Sequence, residues 1–160
     1  MKILILEDNA DRRTAMLAQI ADCLPMFGVS FFETSDRMIA ALRSTDWSEI
    51  AMVSLDNDLD QILIDGQSVD AGDGIAVAEF LVSEHAAGVA SNSARPPVVL
   101  HTTNELAASR MRQTFEDVRW PVERVTPYDG ESWIGEVWIR KVRAAIIGNV
   151  SDHRSVALIR

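Results

Sequence analysis

Apolar residues fall in short runs separated by polar stretches along the chain. Three of these runs, at residues 3–6, 51–55 and 97–100, are almost entirely apolar and do not alternate with polar positions. Strands that are buried on both faces have this pattern, whereas strands with one solvated face alternate. Two weaker strand candidates lie at residues 29–33 and 122–126. The pattern therefore predicts five strands in a parallel sheet.

Stretches with apolar residues at helical spacing follow each of the five predicted strands. They lie at residues 12–24, 35–43, 74–85, 105–118 and 131–147. Alternating strands and helices with right-handed crossovers build a sheet that is covered by helices on both faces. We therefore expect an α/β fold with a doubly wound, five-stranded parallel sheet of flavodoxin-like (βα)₅ order over residues 1–148. Residues 149–160 are expected to form a C-terminal tail.

Composition narrows the possible partners and the location of the protein. The chain has 160 residues, matching one domain, and its formal net charge of −9 repels phosphate backbones, so non-specific nucleic-acid binding is not expected. The first apolar run is too short for a signal peptide or a membrane span. Cys23, the only cysteine, forms no internal disulfide, which fits a reducing compartment. We expect a cytoplasmic protein that does not contact membranes.

Acidic side chains follow the strands at the edge where ligands bind in doubly wound sheets. Glu7 and Asp8 end the first strand, Asp56 and Asp58 follow the third, and His101 ends the fourth. Carboxylates gathered at neighbouring strand ends repel one another unless a cation lies among them. Oxygen-rich sites of this kind suit Mg²⁺ or Mn²⁺. The sequence therefore predicts a divalent-metal site with Glu7, Asp8 and Asp56 as ligands.

Four short segments together carry a family resemblance. They are ILILEDN at residues 3–9, SLD at 54–56, DGI at 73–75 and VVLHT at 98–102. In this order they resemble segments of the receiver domains of two-component response regulators, over nearly the whole chain up to residue 148. The resemblance implies a receiver-like fold in which Glu7 and Asp8 hold Mg²⁺. It also implies that Asp56 accepts a phosphoryl group from a phosphodonor and that Thr102 is the switch hydroxyl that senses it.

One position departs from the receiver pattern. Receivers end the fifth strand with a lysine followed by a proline, whereas this chain has Thr126 before Pro127. The positive charge of that lysine steadies a phosphoaspartate, and Arg124, two residues earlier on the same strand, is a candidate replacement. The departure weighs against a role in phosphorelay signalling. It leaves a degenerate receiver, acting as an interaction module, as a further alternative.

A second resemblance rests on the segments Ser54-Leu55-Asp56-x-Asp58-Leu59 and His101-x-x-Asn104. Both are similar to segments of the cyclic-phosphate-processing receiver domains, which implies hydrolysis of cyclic phosphate groups on small, nucleotide-type substrates. Opening a cyclic phosphodiester requires a cation, a base and an acid. Asp8, Asp56 and Asp58 are predicted to supply the metal and base functions. His101 is predicted to be the acid, because the ordinary pKa of histidine suits proton transfer near neutral pH. Asn104 is predicted to orient the substrate.

Two segments allow more than one interpretation. Residues 59–73 form an acidic connection that is long for a strand-to-helix link, and it is either a flap over the site or a solvated insertion. The last predicted helix carries an apolar stripe, which favours a place in the core, with a homodimer face as the alternative. The stripe comprises Trp133, Ile134, Val137, Trp138, Val142 and Ile146.

Overall fold

Seven strands are present in the computed structural model, which describes residues 1–64, 66–88, 95–128 and 130–157. In chain order they are β1 (Lys2–Leu6), β2 (Gly28–Phe32), β3 (Ile50–Leu55), β4 (Ile62–Ile64), β5 (Gln67–Val69), β6 (Val98–His101) and β7 (Val122–Val125). Five of them form a parallel sheet with the spatial order β2-β1-β3-β6-β7. The predicted five-stranded, doubly wound sheet is thereby confirmed.

Helices follow the five sheet strands, as the sequence predicts. They are α1 (Ala10–Cys23), α2 (Ser35–Ser44), α3 (Gly74–Ala86), α4 (Glu105–Glu116) and α5 (Ile139–Ala157), with a π-helical turn at Ile134–Trp138 directly before α5. The sequence prediction ended the last helix at residue 147, but the helix continues through Gly148 to Ala157. A single glycine costs a helix only about 1 kcal/mol and does not have to end it. The division into residues 1–148 and a tail at 149–160 stays a prediction.

The core has two layers, one on each face of the sheet. Along β1, Leu4 and Leu6 face the layer covered by α2, α3 and α4, whereas Ile3 and Ile5 face the layer covered by α1 and α5. The apolar stripe of the last helix belongs to this second layer: Trp133, Ile134, Trp138, Val142 and Ile146 are buried, and Val137 is half-buried. The core interpretation of the stripe is thereby confirmed, and a homodimer stays a prediction.

The acidic connection between β3 and α3 contains a small antiparallel hairpin of β4 and β5. The two ends of the connection are hydrogen-bonded to the rest of the domain. Asp60 N donates a hydrogen bond to Asp8 Oδ2 at 2.5 Å, and Ser35 N donates to Ala71 O at 2.9 Å. Residues 66–70 are exposed between these attachments. The connection is therefore attached at the edge of the sheet at which the acidic residues lie.

None of the helices in the described ranges combines the length and the apolar composition that crossing a bilayer requires.

Candidate functional site

Two buried carboxylates lie side by side at the carboxyl edge of the sheet. Backbone hydrogen bonding continues one residue beyond each central strand, because Glu7 N donates to Phe32 O at 2.9 Å and Asp56 N donates to Leu6 O at 3.1 Å. The residues Glu7 and Asp56 are 0% and 4% exposed. Potential ligand atoms of Glu7, Asp56 and His101 all lie within 4.8 Å of one another. The strand ends thus gather three polar groups inside the protein.

His101 lies beneath this pair and has no exposed surface. Its Nε2 is 3.3 Å from Glu7 Oε2, and its Nδ1 is 2.9 Å from Ser54 Oγ. Ser54 Oγ in turn accepts a hydrogen bond from Trp138 Nε1 at 3.0 Å, and the imidazole stacks against Trp133. A polar chain therefore runs through the second core layer from Trp138 to Glu7. His101 lies at the same edge as the carboxylates, as the sequence predicts, and it is buried behind Glu7.

A cation next to the buried pair comes from α1. Arg12 Nη1 is 3.3 Å from Asp56 Oδ2 and 3.7 Å from Glu7 Oε2, and the Arg12 side chain is 31% exposed. Asn9 caps α1 by accepting hydrogen bonds from the amides of Asp11 and Arg12, so the first turn of the helix lies over the end of β1. Arg12 is not among the site residues predicted from the sequence. The available signal was its place in the first turn after the acidic pair.

The two buried carboxyl groups differ in how readily they ionise. Burial opposes the ionisation of Glu7, but the hydrogen bond and charge of His101, with smaller contributions from a backbone amide and Arg12, outweigh it, and the pKa of Glu7 lies below its usual value. Burial raises the pKa of Asp56 to about 6, because His101 and Arg12 offset only part of the desolvation and the Glu7 charge adds to it. Asp56 is therefore the carboxylate with the greater need for a cation.

In front of the buried pair, Asp58 is exposed and held by two amide groups. Asn57 Nδ2 donates to Asp58 Oδ1 at 2.9 Å, and Asn104 Nδ2 donates to the same oxygen at 3.0 Å. Asn104 also caps α4, because its Oδ1 accepts from Ala107 N at 3.0 Å. The predicted substrate-orienting residue therefore fixes Asp58 and starts a helix. The second carboxylate oxygen of Asp58 makes neither of these bonds.

Asp8, the third predicted metal ligand, is half-buried and bound by backbone and side-chain donors. Its Oδ2 accepts the Asp60 amide, and its carbonyl accepts a hydrogen bond from Arg13 Nη1 at 2.6 Å. The structure brings Glu7 and Asp56 together as predicted, whereas the Asp8 carboxylate lies outside the cluster of close ligand atoms. A ligand role for Asp8 stays a prediction.

The fifth sheet strand offers no cation to Asp56. Thr126 is exposed, and Arg124 makes two hydrogen bonds of 2.7 Å to the carboxylate of Glu105. Arg124 Nη2, one of the two nitrogen atoms that bind Glu105, also donates to Thr102 O at 3.4 Å. The hydroxyl of the buried Thr102 accepts a hydrogen bond from Asn104 N at 3.1 Å, so it stabilises the turn into α4. Arg124 is thus bound to Glu105, and the nearby cation is Arg12.

The oxygen atoms at this edge fit a divalent cation. Oδ1 of Asn57 is buried without a hydrogen-bond donor, and Oε2 of Glu7 has only the 3.3 Å contact with His101 Nε2 and the 3.7 Å contact with Arg12 Nη1. Buried polar atoms are usually paired, and unpaired oxygen atoms next to an acidic carboxylate are groups that Mg²⁺ or Mn²⁺ can satisfy. Glu7 and Asp56 would hold the cation. His101 contacts Glu7 Oε2 from behind, with its Nε2 at 3.3 Å.

A doubly wound parallel sheet with an acidic carboxyl edge defines this protein as receiver-like, and solved receiver structures agree. A response regulator receiver domain from Rhodospirillum rubrum has 18% identity, a TM-score of 0.60 and 94% coverage of each chain. The response regulator domain of Thermotoga maritima CheB has 12% identity and a TM-score of 0.62, covering 91% of this chain and 96% of its own. The Mn²⁺-bound form of response regulator Rcp1 has 15% identity, a TM-score of 0.58 and 89% coverage of each chain. At these identities the similarity establishes the fold.

Within this class, the sequence profile of the cyclic-phosphate processing receiver domain matches residues 2–117. This match covers most of the chain, and the protein therefore belongs to that family. A comparison with curated proteins finds no significant match.

Proposed function

We propose that the protein hydrolyses cyclic phosphate groups on small nucleotide-type substrates at this acidic edge, with a divalent cation. Family membership supports the substrate class. The observation that carries the proposal is the 3.0 Å hydrogen bond from Asn104 to Asp58, because it joins the ends of β3 and β6 in front of the buried carboxylates. The site then has an exposed carboxylate for chemistry next to a buried pair for a cation.

Glu7 and Asp56 are the proposed metal ligands. Both are buried carboxylates, and the Mn²⁺-bound response regulator Rcp1 shares the fold. A cation bound there would neutralise negative charge on the phosphoryl oxygens. His101 contributes from behind by keeping Glu7 ionised and by holding its carboxylate in one orientation. In this proposal His101 acts through Glu7. It does not act as the direct acid that the sequence predicted.

Asp58 is the proposed base. Two amides fix one of its carboxylate oxygens, so the carboxylate of this exposed residue is held in one orientation. The reaction adds one water across one P–O bond of the ring. The water oxygen bonds to phosphorus, Asp58 takes the water proton, and that proton passes to the ring oxygen, which leaves phosphorus as a hydroxyl. A cyclic diester thus becomes a monoester.

An activity assay with matched variants tests this proposal. Purified protein with Mn²⁺ is incubated with nucleoside 2′,3′-cyclic phosphates and with ADP-ribose cyclic phosphate, and monoester formation is followed by chromatography. We expect turnover that falls by roughly 10²–10⁴-fold in Asp58→Asn, the usual contribution of a positioned base. Asp22→Asn, an exposed substitution at the far end of α1, is the control with the same charge change. Absence of turnover in folded, metal-loaded protein would overturn the proposal.

Phosphorylation of Asp56 is the second candidate function, and the position of Arg12 is the observation in its favour. A guanidinium 3.3 Å from Asp56 Oδ2 supplies a positive charge where Thr126 does not. Acetyl phosphate with Mg²⁺, followed by intact mass, separates the two functions. We expect little stable adduct on the wild-type protein. A near-stoichiometric adduct that Asp56→Asn abolishes would favour the signalling receiver over the hydrolase.

A further inference from the structure

Arg12 is the cationic side chain that contacts both buried carboxylates. Two other arginines near the strand ends are bound elsewhere. Arg13 donates to the carbonyls of Glu7 and Asp8 and pairs with Glu33, and Arg124 pairs with Glu105. Arg12 instead contacts the two groups that are proposed to hold a cation. Its charge and a metal ion would therefore compete for the same oxygen atoms.

The contacts of Arg12 are loose enough to be exchanged. Its 3.3 Å contact with Asp56 lies at the long end for a charge-assisted hydrogen bond, and its 3.7 Å contact with Glu7 is longer. The side chain is 31% exposed, so the guanidinium has a path towards solvent on a flexible stem. Two cations cannot share one pair of carboxylates without strong repulsion. A guanidinium displaced from Asp56 needs another anion.

We propose that Arg12 is the phosphate-binding residue of the site, which leaves Asp56 when a divalent cation binds and then pairs with the phosphoryl oxygens. This inference rests on the proposed function, because it requires the metal and a phosphate ligand at the same edge. The planar guanidinium matches phosphate geometry and forms paired hydrogen bonds with it. Arg12 thus replaces, from α1, the positive charge that the fifth sheet strand lacks at Thr126.

The exchange predicts two effects of opposite sign in Arg12→Gln. Without phosphate, the variant should bind Mg²⁺ about 3–10-fold more tightly, because a competing positive charge is gone. With saturating Mg²⁺, it should bind inorganic phosphate about 10–100-fold more weakly, because a charge-assisted hydrogen-bonding partner is lost. A side chain that only supported the fold would weaken both interactions. Isothermal titration calorimetry measures both constants on the full chain.

Two variants complete the experiment. Arg12→Lys keeps the positive charge but not the planar guanidinium. It should bind Mg²⁺ more weakly than Arg12→Gln does. Its loss of phosphate affinity should be smaller than that of Arg12→Gln. Arg112→Gln removes an equal charge from an exposed pair with Glu116 and should change neither constant. Unchanged phosphate affinity, or weaker Mg²⁺ binding, in Arg12→Gln would overturn this inference while leaving the proposed function in place. Wild-type protein that binds Mg²⁺ and phosphate but opens no cyclic phosphate would overturn the proposed function alone, and wild-type protein that binds no Mg²⁺ would overturn both.

Discussion

The acidic edge of the sheet has two halves with different physical character. The buried half consists of Glu7, Asp56 and His101, which are all at most 4% exposed. The exposed half consists of Asp58 and Asn104, together with Asp8, which are partly or fully open to solvent. In the buried half each polar group depends on its neighbours for compensation. In the exposed half, water can form hydrogen bonds with any group that loses its protein partner.

This difference separates stability from chemistry. A buried charge that loses its partner retains the whole cost of desolvation, so substitutions in the buried half should change the free energy of unfolding and its dependence on pH. Exposed polar groups contribute little to folding, so substitutions in the exposed half should change turnover with small effects on stability. Comparing variants from the two halves therefore tests the division directly.

The largest effect is expected for His101→Ala in the buried half. The substitution removes a fully buried ring that stacks on Trp133, and it takes one polar partner from each of Glu7 and Ser54. Cavity formation and the lost partner of the buried Glu7 carboxylate together should lower the free energy of unfolding by about 2–4 kcal/mol. Urea denaturation measures this change. Asp58→Asn from the exposed half is the comparison and should stay within about 0.5 kcal/mol of wild type, and equal effects of both variants would contradict the division.

The next effect concerns the ionisation of Asp56. Its folded-state pKa of about 6 lies above the ordinary value of 3.8, so the folded protein holds the proton more tightly than the unfolded chain does. The stability that this raised pKa of Asp56 contributes is fully present below the pKa of Asp56 in the unfolded chain. It is lost as the pH rises through about 6. Without metal, Asp56→Asn should therefore stabilise the protein by about 1–3 kcal/mol near pH 8 and change it little below about pH 4.

Thermal denaturation with a chelator present, repeated across this pH range, tests the sign. Glu7 has the opposite linkage, because its lowered pKa contributes stability that is lost as the pH falls. Both proteins retain Glu7, so the difference between them reports mainly on Asp56. If Asp56→Asn destabilised the protein near neutral pH, the charge of the Asp56 carboxylate would already be well compensated by Arg12.

A smaller effect is expected for Ser54→Ala, which interrupts the polar chain behind the buried half. The variant removes the hydrogen-bond partner of Trp138 Nε1 and of His101 Nδ1. Both residues are fully buried. The cost should be about 1–2 kcal/mol, the usual penalty for a buried group left without a hydrogen bond. Ser44→Ala, at an exposed serine that bonds only to backbone of its own helix, is the control. A negligible change in Ser54→Ala would mean that the chain does not restrain His101.

The fold and the gathering of Glu7 and Asp56 could be predicted, because apolar runs locate the strands and parallel strands end at one edge. The burial of His101 and its link to Trp138 through Ser54 could not be predicted. Ser54 and Trp138 are 84 residues apart in sequence and meet only through packing. Ser54, the single polar residue in the apolar run at residues 51–55, was the available signal. Arg12 was missed because the pattern of residues does not show which way a partly exposed side chain turns.

The short hairpin of β4 and β5 was missed for another reason. Each of its strands has three residues, too few for alternation to be recognised in the sequence. The sequence did indicate that the connection was unusually long, and its attachment to Asp8 depends on a backbone amide, which every residue except proline has.

The smallest effect is expected for Arg124→Gln, and it sharpens the comparison between the two arginines near the edge. Arg124 pairs with Glu105, a mostly exposed residue, and surface ion pairs of this kind contribute little to folding. The midpoint of thermal denaturation should therefore change by less than about 3 °C. Phosphate affinity in saturating Mg²⁺ should stay at the wild-type value, in contrast to Arg12→Gln. If Arg124→Gln weakened phosphate binding as much as Arg12→Gln, the fifth sheet strand would supply the phosphate-binding charge after all, from a position two residues before the one that receivers use.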